Sequence, residues 1–112
     1  AAVESGIKHA NEKLPHNIEC YFVRAVTLNP AIGETYYIWG LHLHRTGELK
    51  RSLEMYKKAE SLGENHTEFY YNYGLLYFAQ ENYALAKEKA DIAYSRGFPL
   101  QGLKKKLKSK GY

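Results

Sequence analysis

Gly6, Gly40 and Gly74 stand 34 residues apart, and they do so in company. The same step relates Ala25, Ala59 and Ala93, then Thr27, Ser61 and Ser95, then Asn29, Gly63 and Gly97. Several columns sharing one period make the chain a repeat. At a period of roughly 20–50 residues each unit is one supersecondary element that buries its apolar face against a neighbour. That excludes most folds before any element is assigned.

Each column has a physical reason. Asn and Gly reach left-handed backbone angles most readily, and such angles end helices, so Asn29, Gly63 and Gly97 read as three helix C-termini. Pro30 and Pro99 follow two of them, where a helix cannot continue. The glycines at 6, 40 and 74 fall inside helical patterns, where Gly costs about 1 kcal/mol relative to Ala. Three in register imply that another helix approaches closely at those points. The small alanines at 25, 59 and 93 carry the same message.

Between these points the apolar period is helical. Tyr36, Trp39, Gly40 and Leu43 recur as Tyr70, Tyr73, Gly74 and Tyr77. A second stripe, Leu49, Leu53, Tyr56 and Ala59, is matched by Tyr83, Ala86, Ala90 and Ala93, and the breaks fall at Gly47-Glu48 and Glu81-Asn82. Each unit is therefore two helices joined by a tight turn. The spacing predicts helices near 2–12, 17–28, 33–46, 49–62, 67–80, 83–96 and 99–110.

This pattern resembles the tetratricopeptide repeat (TPR) family, whose signature is W, two spacers, L-G, two spacers, Y, then A, three spacers, F, and a final P. The second unit shows Tyr36, Trp39-Gly40, Leu43, Ser52, Tyr56 and Ala59; the third shows Tyr70, Tyr73-Gly74, Tyr77, Tyr83, Ala86 and Ala93. The first keeps Gly6, Ile18, Phe22, Ala25 and Pro30, with Pro15 in its turn region. Ala90 departs from the usual aromatic, Ser52 from the usual Ala, and Glu64 stands where Pro is usual. The resemblance implies an all-α, right-handed α-solenoid forming one domain over 1–112, with units of about 1–32, 33–66 and 67–98. The segment 99–110, with Leu100, Leu103 and Leu107 at helical spacing, reads as the polar-backed cap that a last repeat needs.

In such a solenoid the first helix of each unit lines a concave groove, at positions one residue past the packing positions. Here these are Val3, Ile7, Tyr37, Leu41, His44, Tyr71, Asn72, Leu75 and Phe78, with Glu34 and Glu68 near the rim. The segment Phe69–Phe78 is apolar nearly all round and must be buried on more than one side. The expectation is a protein-binding adaptor or scaffold that takes a partner's peptide or helix in an aromatic, apolar groove. The alternative is that these side chains only pack the superhelix, or pack against N-terminal repeats of a longer array. Family members that clamp chaperone C-terminal carboxylates use basic cradles. The corresponding places here are Val3, Ile7, Ile38, Glu68 and Asn72, so a carboxylate terminus is not the expected ligand. Self-association is a further alternative, through the groove or an N-terminal edge that nothing polar shields.

Charge adds one feature. The net +4 is uneven: residues 97–112 hold five lysines and no acid, while residues 1–96 hold eleven Lys/Arg against twelve Asp/Glu. Lys104, Lys105, Lys106, Lys108 and Lys110 form a basic surface that could meet phosphates or an anionic membrane surface. Only Tyr112 is at hand to stack on a base, so nucleic acid is not the expected partner.

Catalytic and metal chemistry find little support. His42 and His44, two apart on a helix, diverge by about 200°. His9, His16 and His66 lack Cys or Asp partners at ligand spacing. Cys20 is the lone cysteine and reads as a small packed hydrophobe in the second helix. No phosphate-binding glycine loop or Ser–His–Asp pattern is visible, so neither an enzyme nor a cofactor is expected. No apolar run approaches the ~18 residues of a membrane span. The chain opens on Ala1-Ala2 without Met and reads as a processed product or excised fragment. The family occurs in every compartment, so the resemblance gives no location.

Overall fold

The computed structural model describes the backbone of residues 16–112 and the side chains of residues 18–112. The helix expected near 2–12, with Gly6, Val3 and Ile7, lies outside the described residues. The described residues form six α-helices and no strand: α1 His16–Leu28, α2 Gly33–Arg45, α3 Leu49–Ser61, α4 Thr67–Ala79, α5 Tyr83–Ser95 and α6 Gly102–Ser109. They fall into two compact units, α1–α3 in the first and α4–α6 in the second, divided after Glu64.

The repeat is visible in the helices themselves. α2 and α4 begin 34 residues apart, as do α3 and α5, and all four are 13 residues long. Each pair is an antiparallel hairpin closed by a three-residue turn. Five helices end the same way. At the end of α2, Gly47 N–H donates to the His44 carbonyl and Glu48 N–H to the Leu43 carbonyl. This paired closure satisfies carbonyls the helix leaves over. It requires a left-handed residue after the cap. Gly47 supplies one with φ +86°, but the equivalent position after α4 is Glu81, at φ +63°. A side chain there costs about 1–2 kcal/mol of backbone energy, which the closing hydrogen bonds and the following helix offset.

The exception is α1. Asn29 does not take the left-handed angle expected of it; Glu81 is the one non-glycine with positive φ among the described residues. The cause is Pro30. Its ring pushes the preceding residue out of helical angles, and it has no N–H to close the turn. Asn29 ends the helix through its side chain instead, its Oδ1 accepting the Ala31 N–H at 3.2 Å.

In the first unit, Phe22 of α1 stacks on Trp39 of α2, with ring centroids 5.7 Å apart and planes 7° apart. With Leu43 they form a core edged by Ile18, Val26, Tyr36 and Met55. Arg51 of α3 reaches Glu19 of α1 at 2.6 Å, a partly exposed pair that adds little stability. The outer side of α1 is open, with Tyr21 66% and Leu28 78% exposed. Cys20 is exposed there too, contrary to the packed position expected. Phe22 holds the buried face of the helix, and Cys20 lies two residues away from it, about 200° round the axis.

The two hairpins close on their glycines by different means. In α2/α3, a Cβ on Gly40 would stand 2.6 and 2.8 Å from Cδ1 and Cε1 of Tyr56. Beside it, the buried Ser52 hydroxyl donates to the Gly40 carbonyl at 2.6 Å. In α4/α5 the position of Tyr56 is taken by Ala90, and that of Ser52 by Ala86. The room left by the missing ring is filled from α6: Leu103 Cδ2 lies 2.6 Å from where a Gly74 Cβ would be. Leu103 and Leu107 are buried, while Leu100, expected in the same stripe, is exposed because α6 begins only at Gly102.

Gly74→Ala gains about 1 kcal/mol of helix propensity but displaces the Leu103 side chain and crowds the Ala86 carbonyl at a cost of about 1–3 kcal/mol, so the second unit loses between about 0 and 2 kcal/mol. Leu103→Ala alone costs about 2–5 kcal/mol. Because both act on one contact, the double variant loses less than the sum by about 1 kcal/mol. Denaturant unfolding of the four proteins measures the coupling, and strict additivity would mean that Leu103 does not rest on Gly74.

Candidate functional site

The candidate groove positions lie on the first helices of the two hairpins. On α2, the packing positions Trp39, Gly40 and Leu43 are buried, while Leu41 and His44 are half-buried. On α4, Tyr73, Gly74 and Tyr77 are buried, while Leu75 and Phe78 are half-buried. The pairs 41/44 and 75/78 hold the same register in the two units, each at a helical i, i+3 step that places both side chains on one face. Ile38 and Asn72 share another register: the first is exposed and the second half-buried. Glu34 and Glu68 are both exposed in the first turns of their helices, where a carboxylate is favoured by the helix dipole.

Tyr37 and Tyr71 differ from the rest of the set, being only 9% and 8% exposed. Tyr37 meets the Tyr56 ring edge-on at 5.6 Å. Tyr71 packs on Phe98 at 4.5 Å and edge-on to Tyr94 at 6.3 Å. These rings brace their own units. The Tyr94 hydroxyl donates to the Leu100 carbonyl at 2.7 Å and accepts the Lys104 N–H at 3.1 Å, which ties α5 to the start of α6. Burial pushes that phenol up, against the opposing pull of the Lys104 N–H. Sequence reasoning missed Phe98 and Tyr94 because neither sits in a repeating column; Gly97 and Pro99, on either side of Phe98, marked only that the helix ends there.

α4 is enclosed on nearly every side, as its composition demands. Phe69, Tyr70, Tyr71, Tyr73, Leu76 and Tyr77 are all buried. Tyr73 stacks on Tyr77 at 5.2 Å. Lys89 of α5 lies 4.6 Å from the centre of the Tyr73 ring. Arg96 covers Tyr70 at 5.2 Å while donating to the Asn65 carbonyl.

All five lysines of the basic segment are exposed. Three have their ammonium groups over aromatic rings: Lys104 over Tyr94 at 4.8 Å, Lys106 over Phe78 and Lys110 over Tyr83 at 5.7 Å each. Contacts of this kind give about 0.5–1 kcal/mol at exposed sites. Lys105 lies about 200° round the helix from the buried Leu103 and Leu107, on its outer side, while Lys108 follows Lys104 by one turn on the same side.

His42 and His44 both sit in the last turn of α2. The helix dipole there favours a charged imidazole, yet burial wins and holds both below the ordinary value of 6.5, helped at His42 by the Arg45 charge. His42 also packs on the Phe22 ring at 5.5 Å. His66 is exposed and precedes α4. Among the described residues no three His, Cys, Asp or Glu side chains are placed to hold a metal ion, and no helix is long and apolar enough to cross a membrane.

The lowered histidines give a pH dependence of definite sign. As pH falls below 6.5, the unfolded chain takes up protons before the folded one does. Their contribution to stability is therefore complete above that value and lost as pH falls through the folded value. Unfolding followed at about pH 7.5 and about pH 5 should show the first unit weakening, and His44→Gln should reduce that loss. An equal loss in the variant would place the titration elsewhere.

No protein-family profile matches the chain, and no curated protein matches it.

Proposed function

We propose that the chain is a protein-interaction module of the tetratricopeptide-repeat kind: a right-handed α-solenoid of three units with α6 as its cap. It acts as an adaptor or scaffold without catalytic activity of its own. A partner's peptide or helix lies along the first helix of a hairpin.

The observation that carries this reading is the matched register of α2 and α4. Both helices bury the residues around their glycine and leave the next face half-open, with Leu41 and His44 on one and Leu75 and Phe78 on the other. Apolar side chains kept partly in water at the same place in each unit are available to a ligand, and their burial would drive association. Tyr37 and Tyr71 contribute by fixing the helices, since both are already packed. The acidic first turns at Glu34 and Glu68 favour a ligand with basic flanks and disfavour a terminal carboxylate.

The test uses a displayed random-peptide library selected on the whole chain. Leu41→Ala and Leu75→Ala each remove a half-exposed side chain and should weaken the selected peptides by about tenfold while the far-UV signal stays helical. Selected peptides that bind both variants as tightly as the parent would put the site elsewhere.

A further inference from the structure

A second surface lies wholly within the second unit, and no residue of α4 lines it. Between α5 and α6 is a half-open cavity of about 230 Å³. Its lining includes Ala90 and Leu107, the rings of Tyr94 and Tyr112, and Lys87 and Lys104. Asp91 also lines it, paired with Lys87 at 3.1 Å. The volume is below the ~300–1,000 Å³ of most small-molecule sites, and suits one inserted side chain.

The charge around it is predominantly positive, with Asp91 the one acid of the lining. α6 carries Lys104 and Lys105 in its first turn, against the helix dipole, and no acid in that turn. Lys104 and Lys108, and Lys106 and Lys110, are like-charge pairs at i, i+4, each costing about 0.2–0.5 kcal/mol. The second unit holds eight Lys/Arg and four Asp/Glu, a surplus of four positive charges, whereas residues 1–64 hold eight of each.

We propose that this cavity and the lysines around it form a docking site for an acidic peptide segment carrying one apolar side chain. The apolar side chain enters the cavity against Ala90, Leu107 and the two tyrosine rings. The flanking carboxylates meet Lys104 and Lys108 on α6, and a carboxylate near Lys87 draws that ammonium from Asp91. Nucleic acid fits less well, because base stacking needs open ring faces and lysines already lie over Tyr94, Phe78 and Tyr83. An anionic bilayer would meet the lysines but leave the concavity unused.

Fluorescence anisotropy with the labelled peptide Asp-Glu-Asp-Leu-Asp-Glu-Asp tests this on the whole chain. The peptide should bind, and its Leu→Ser version should bind about tenfold more weakly. Lys104→Gln and, separately, Tyr112→Ala should each weaken binding by at least about fivefold. Lys105→Gln, on the outer side of α6, should change it by less than about twofold. Both lysines and Tyr112 are exposed, so the variants retain the buried core. Equal binding of the Leu and Ser peptides, equal loss in the two lysine variants, or no binding would overturn the proposal. So would tighter binding of a polyuridine oligonucleotide or of phosphatidylserine vesicles.

Discussion

A helix that carries glycine in its middle gives up stability unless something occupies the space where a side chain would be. In each hairpin a large side chain fills the space beside that glycine. Tyr56 of α3 covers Gly40, and Leu103 of α6 covers Gly74. Each contact brings a large buried side chain to bare backbone, and the burial, about 1.5–3 kcal/mol for a side chain of this size, outweighs the ~1 kcal/mol lost in helix propensity.

The two solutions differ in reach. With Tyr56 the second helix of the hairpin supplies its own filler, and Ser52 adds a hydrogen bond to the same glycine carbonyl. With Ala90 the second helix is too small to do so, and α6 becomes part of the core of its unit. The terminal helix therefore does more than shield an apolar end. Its leucines complete the closure begun by α4 and α5, and Tyr94, through its bonds to Leu100 and Lys104, fixes where α6 starts.

Much of this was legible in the chain. The 34-residue columns put the five helices from His16 to Ser95 within a residue or so of their bounds, and the interior glycines foretold close contacts. They did not identify the filler above Gly74, because that residue comes from outside the repeat. Asn29 misled for a local reason: its column asks for a left-handed residue, but Pro30 forbids one and leaves the side chain to end the helix. Cys20 misled because composition cannot tell the two sides of a helix apart, and Phe22 had already taken the inner one. Of the groove positions within the described residues, the register of 41/44 and 75/78 was readable. The burial of Tyr37 and Tyr71 was not, since it depends on Tyr56, Phe98 and Tyr94, which lie far along the chain or outside the pattern.

The two candidate surfaces follow from the same packing. Because the glycine face of α2 and α4 is consumed internally, the adjoining face carries what remains available. Because α6 must bury Leu103 and Leu107, its lysines are forced outward and beside the cavity at Tyr94. The most direct measurement is the set of proton–proton NOEs at the two glycines in solution. The account predicts strong cross-peaks from the Gly74 α-protons to the Leu103 methyls and from the Gly40 α-protons to the Tyr56 ring. A Gly74 that shows NOEs only to its own helix, with Leu103 methyls in contact with solvent-exposed residues, would contradict it.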